Sequence, residues 1–249
     1  MIFLAKIDPQ RMRARLSCAC LIALLVLCSG KAYARVFVLN TFDIYPYSTP
    51  RGTGSLDLVV KEAFRRIGEN VKIVWLPSER ALINANSGID DGDFVRVAGI
   101  EKEYHNLVMV PEKLCEFEFA AFAKSSAIKV SGWESLKRYN VGIPRGAVAL
   151  EAKMPEVRSL TEVNDQNALF GMALDGRVDV IIYDKLQADE FIKKFRLDGI
   201  RQVGPVLEKC RMYMYLNRRY AALVPRLEVA LRQMKKDGTF SRIMDSAAR

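Results

Sequence analysis

Short strand-like and helix-like segments alternate from residue 36 onward, and few architectures accept that order. Val36-Phe37-Val38-Leu39 is an apolar run of strand length. A turn-rich loop with Tyr45-Pro46-Tyr47 and Pro50-Arg51-Gly52-Thr53-Gly54 follows. From Ser55, residues Leu56, Val59, Val60, Ala63, Phe64 and Ile67 recur at helical spacing, and Gly68 offers a stop. Val71 to Trp75 alternates as a second strand, and Ser78 is placed to cap a helix that ends at Gly88. Short apolar pieces, Phe94-Val95 and Leu107–Val110, then lead to a strand over Phe117–Ala123.

The order then restarts. Ser131-Gly132-Trp133-Glu134 reads as a capping box, Val141–Pro144 as a strand, Val157–Leu160 as a strand and Asn167–Leu174 as a helix closed by Gly176. Val178–Tyr183 is continuous, apolar and rich in β-branched residues, as a strand buried on both faces requires. Ala188–Phe195 reads as helix, Met212–Leu216 as strand and Val224–Lys236 as a terminal helix ending at Gly238. This alternation predicts an α/β fold of two lobes, with the chain crossing between them twice. The expected division is 35–123 with 209–249 for one lobe and 124–208 for the other.

The first 34 residues carry a different message. Lys6, Arg11, Arg13 and Arg15 precede an uncharged run from Leu16 to Cys28, and Ala32-Tyr33-Ala34 supplies small-x-small cleavage chemistry. The run is shorter than the ~20 apolar residues of a membrane-spanning helix. Residues 1–34 are therefore expected to be a secretory signal peptide, with a mature protein beginning at Arg35 in the periplasm and no stable membrane insertion after cleavage. The chain carries a formal +9, and loss of the five Lys/Arg and one Asp of residues 1–34 leaves about +5. No dense basic tract appears, so no nucleic-acid partner is expected.

Cys115 and Cys210 are the two cysteines of the expected mature chain. If Phe117–Ala123 and Arg211–Leu216 are the antiparallel crossings, Cys115 lies far from the crossover and Cys210 beside it. At ~3.3 Å per residue that exceeds disulfide reach, so both are expected to be free. A single histidine, His105, and no cysteine pair at zinc spacing leave neither a metal site nor a catalytic triad expected.

In order and spacing these segments resemble the family 3 extracellular solute-binding proteins, the polar-amino-acid type of periplasmic binding protein. The resemblance rests on Tyr45-Pro46-Tyr47 before Gly54, Asn84–Gly92, Val141-Gly142-Ile143-Pro144-Arg145-Gly146, Gly176–Asp184 and Lys235-Lys236-Asp237-Gly238-Thr239. It implies a type II periplasmic-binding-protein-like fold with two crossing hinge strands. It also implies capture of a small charged metabolite, an amino acid or related carboxylate, between the lobes, for an ABC permease or a sensor, without a cofactor.

Seven residues are expected to bind the ligand: Tyr45, Tyr47, Arg80, Arg96, Arg145, Gly146 and Asp184. Asp184 follows an apolar strand at the end where such folds bind ligands, and the resemblance pairs it with a ligand ammonium. The alternative is a helix cap. Arg96, flanked by Val95 and Val97, could clamp a carboxylate, and Tyr45 and Tyr47 could stack on a ligand. The family's Thr-x-x-Arg clamp is missing near Glu101–Tyr104, and Ala147 and Val148 replace its small hydroxyl residues. Arg80, Arg96 and Arg145 are expected to compensate, and three cations in one cleft would favour an anionic ligand.

A second reading is an enzyme on the same scaffold, because some family relatives are dehydratases of cyclohexadienyl substrates that use acidic proton donors. Only Glu79 and Asp184 suggest themselves for that role. A murein-cleaving protein is not expected, since no catalytic domain follows the binding lobe.

Overall fold

In the computed structural model, residues 35–247 are described; the expected signal peptide lies outside them. Eight strands form one sheet in the order β2-β1-β3-β8-β4-β7-β5-β6. On one side, β1 (Val36–Thr41) lies between β2 (Asn70–Trp75) and β3 (Gly92–Val97), all parallel. On the other, β5 (Asn140–Pro144) lies parallel between β6 (Ser159–Val163) and β7 (Val180–Asp184). Two strands of 17 residues each, β4 (Leu107–Ala123) and β8 (Arg201–Asn217), run antiparallel through the centre. The far end of β8 pairs with β3 and the far end of β4 with β7, so both strands belong to both halves.

Helices fill the faces. α1 (Ser55–Arg66) and α2 (Ser78–Ser87) follow β1 and β2; α3 (Val148–Glu151), α4 (Gln166–Leu174) and α5 (Lys185–Phe195) belong to the second half. α6 (Val224–Lys236) and α7 (Thr239–Ala247) close the chain against α1. The apolar stripe of α1 is buried as its spacing predicts, with Leu56, Val59, Val60, Ala63 and Phe64 in the core beside Leu227, Leu231 and Met234 of α6. A second cluster, with Phe122, Phe170, Tyr183 and Phe191, packs the other half.

Several expectations need correction. Leu107–Val110 and Phe117–Ala123 are one strand, not two. Ser131 caps nothing: the turn of helix at Trp133–Arg138 starts from Gly132, and Ser135 is the hydroxyl that bonds Ser131 N–H. Ser78 is the first residue of its helix, after Pro77. The strand placed at Val157–Leu160 lies two to three residues later. The helix Val224–Lys236 is as expected but not terminal: the chain turns at Gly238, φ +75°, into α7.

Cys115 and Cys210 are free, for a reason other than the one expected. Cys115 pairs with Met212 and Phe117 with Cys210, so the thiols lie on one face of adjoining strands as diagonal neighbours. Such positions are about 7–8 Å apart, just past the span of a disulfide.

Candidate functional site

A cavity of about 240 Å³ opens where the carboxyl ends of the strands in the two halves face each other. Phe42 and Trp75 come from the first half, Ala147 and Val148 from the second, and Phe117, Phe119 and Met212 from the crossing strands. Most of the wall is therefore apolar. Its polar groups are few: Asp43, Ser78, Arg96, Arg145, Asn164, Asp165, Gln166, Asp184 and Gln187.

Arg96 owes its position to an irregularity. Phe94 faces Met214 and Arg96 faces Tyr213, so Val95 is an extra residue in β3, with φ +68°. In a regular strand, residues three apart point to opposite faces. The bulge returns Arg96 to the face of Asp93, and its Nη2 lies 2.7 Å from Asp93 Oδ2. Nε also donates to Asp93, while Nη1 and Nη2 donate to the hydroxyl and carbonyl of Ser78 at 2.8 and 2.9 Å. The guanidinium carbon sits 4.4 Å over the Phe42 ring. Asp93 is fully buried, and burial, opposed by Arg96, pushes its carboxyl up to about 6. The cation nearest the cavity thus arrives already neutralised.

Asp184 closes β7 and caps α5, its oxygens accepting from Gln187 N–H at 3.1 Å and Glu118 N–H at 2.9 Å. Burial outweighs these donors and pushes its carboxyl up to about 6. Gln187, one turn on, has a buried Oε1 without a hydrogen-bond partner. Asp165 caps α4 through Ala168 N–H at 2.8 Å. Asp43, from the other side of the cleft, is raised by burial and by Asp165, and lowered by Gln166 N–H and Lys194.

Besides the Gln166 N–H that Asp43 accepts, two contacts bridge the cleft. Ser78 Oγ donates to the Gly146 carbonyl at 3.2 Å, and Lys194 Nζ of α5 lies 4.3 Å from the Tyr45 ring centre. Gly146 has φ +71°, and a side-chain carbon there would stand 3.2 Å from Glu79 N.

Of the expected binding residues, Arg96, Arg145, Gly146 and Asp184 line the cavity, and Tyr45, Tyr47 and Arg80 do not. Tyr47 is buried against Phe117, ring centres 5.4 Å apart. Tyr45 meets Lys194 at the mouth. Arg80 is exposed in a second, outer depression that Arg145 and Asn164 share. Arg145 lies 3.6 Å from Glu162. The three cations expected in one cleft are thus one neutralised, one paired at the rim and one outside. Glu79 is exposed in the outer depression, outside the main cavity wall.

Sequence reasoning passed over Asp43, Asn164, Asp165 and Gln187. The rule that picked Asp184, a polar residue just past a strand's carboxyl end, applies equally after β1 and β6.

No protein-family model matches the chain. An uncharacterized protein of Shewanella oneidensis is 26% identical over 199 residues, 77% of this chain and 75% of that protein. A histidine kinase sensor domain with similarity to periplasmic binding proteins superposes with a TM-score of 0.76 at 18% identity, over 85% of this chain and 95% of that one. An ancestral arginine-binding protein bound to arginine gives 0.72 at 19%, over 86% and 99%. The ligand-binding core of GluR0 from Nostoc punctiforme, in complex with L-glutamate, gives 0.71 at 16%, over 84% and 98%. The chain has the two-lobed α/β fold of periplasmic binding proteins, with β4 and β8 as its hinge strands.

Proposed function

We propose that the chain is a periplasmic solute-binding protein that captures a small charged metabolite between two hinged lobes. It would pass the solute to an ABC permease or report it to a sensor. The observation behind this reading is the cavity itself: both lobes wall it, and the Ser78–Gly146 and Tyr45–Lys194 contacts close over it. A ligand that touches both walls favours the closed arrangement by its differential affinity for it. The resemblance to structures of arginine- and glutamate-bound proteins supports the same reading. Among the described residues no helix is long and apolar enough to cross a membrane.

The test is calorimetric titration and thermal denaturation of the protein beginning at Arg35, against amino acids, polyamines and organic acids. A cognate solute at a thousandfold excess over its Kd should add about 4 kcal/mol of stability. No binder in any of the three sets would overturn the proposal.

A further inference from the structure

The charges around the cavity are unevenly matched. Its two arginines have carboxylate partners, Asp93 for Arg96 and Glu162 for Arg145. Three carboxylates, Asp43, Asp165 and Asp184, line the same space. Asp165 and Asp184 are explained in part as helix caps. Asp43 is not a cap. It comes from the opposite lobe, and closure brings it close enough to Asp165 for the two charges to oppose each other. Lys194 is a cation that acts on Asp43, and it sits over the Tyr45 ring at the mouth. A cation between the lobes would meet all three carboxylates at once.

Gln187 supplies an independent sign. It is 2% exposed, it lines the cavity, and its Oε1 has no partner. Its amide nitrogen faces the Asp184 carboxylate, the orientation a carboxylate acceptor demands, so the orphaned atom is the oxygen. A buried acceptor without a donor costs about 1–3 kcal/mol, which a ligand N–H would offset.

Building on the function proposed above, we infer that the ligand is an organic cation: a protonated amine on an apolar body. Its ammonium is held by Asp184, Gln187 Oε1 and the Asp43–Asp165 pair, and its body lies against Phe42, Trp75, Phe117 and Phe119. A ligand carboxylate is not required, because Arg96 is satisfied by Asp93 and Ser78.

Three probes that share a phenylethyl body test this: 2-phenylethylamine, 3-phenylpropionate and L-phenylalanine, titrated calorimetrically at pH 7.5. The amine should bind at least about tenfold more tightly than the carboxylate, and no more weakly than the zwitterion. Gln187→Met should weaken amine binding about tenfold or more. Asp43→Asn should also weaken the amine while raising the melting temperature of the ligand-free protein, a pairing of effects that a structural role for Asp43 would not give. Preference for the carboxylate or zwitterion overturns the inference. So does binding confined to polyamines, which lack the apolar body. If the probes fail and another solute of the broader sets binds, the inference falls and the solute-binding function stands. If nothing in those sets binds, both fall.

Discussion

Replacing Asp57 by Ala removes the acceptor for three donors at once. Its oxygens take the Ser48 hydroxyl at 2.6 Å and the N–H groups of Thr49 and Gly54 at 3.0 and 2.9 Å, which ties the loop after β1 to the head of α1. Leaving those donors without a partner should cost about 3 kcal/mol, measured by urea denaturation. The loop would loosen where Asp43 and Tyr45 are held. A second residue-scale outcome concerns pH. Asp93 and Asp184 have folded-state values of about 6, above the ordinary 3.8, so the folded protein keeps protons that the unfolded chain has released. Stability should therefore fall as pH rises from about 4 to 6, by about 3 kcal/mol per group, and level off above. Asp184→Asn, which keeps the cap, should remove the share that Asp184 contributes to this slope. Tyr47, Cys115, Tyr183 and Lys185 also face Asp184, and all four are raised from values that already lie above that window. At the acid end, Glu62, held at about 2 by Arg65 and Arg66, loses its contribution below about pH 4.5.

At the scale of elements, the strands and helices were legible wherever one periodicity governed a segment. α1 and α6 follow from their apolar stripes, and β7 from its continuous run. Irregularities left no comparable trace. Nothing in Phe94-Val95-Arg96 announces that Val95 is an extra residue in β3, because a bulge depends on the register with β8, a strand more than 100 residues away. The sequence therefore marked Arg96 as a candidate clamp but could not show that Asp93 occupies it. Tyr47 illustrates the same limit, since its partner Phe117 lies on a crossing strand. The Gly146 turn was legible, and its role across the cleft was not. Gly146→Val places a β-branched residue at φ +71° and presses on Glu79 N, which should destabilise the protein by about 1–3 kcal/mol. Because the pressure falls on a contact that exists only when the cleft is shut, ligand affinity should drop as well. Calorimetry on a variant that still denatures cooperatively would separate the two effects.

For the molecule as a whole, closure has an optical reporter. The chain has two tryptophans, and Trp75 lines the cavity while Trp133 packs against the core. In a Trp133→Phe background, ligand should shift the emission of Trp75, and small-angle scattering should show a smaller radius of gyration. A shift without compaction would point to binding without hinge movement. The other whole-molecule consequence follows from the two long strands shared by both lobes. The first lobe cannot be finished until β8 arrives, near the end of synthesis, and until then β3 and β4 present open edges of the kind that recruit other chains. A protein that crosses a membrane before folding would meet this delay with its whole length already delivered. Truncation before residue 201 should accordingly produce aggregate rather than a functional half, and the order in which the chain emerges becomes part of its folding problem.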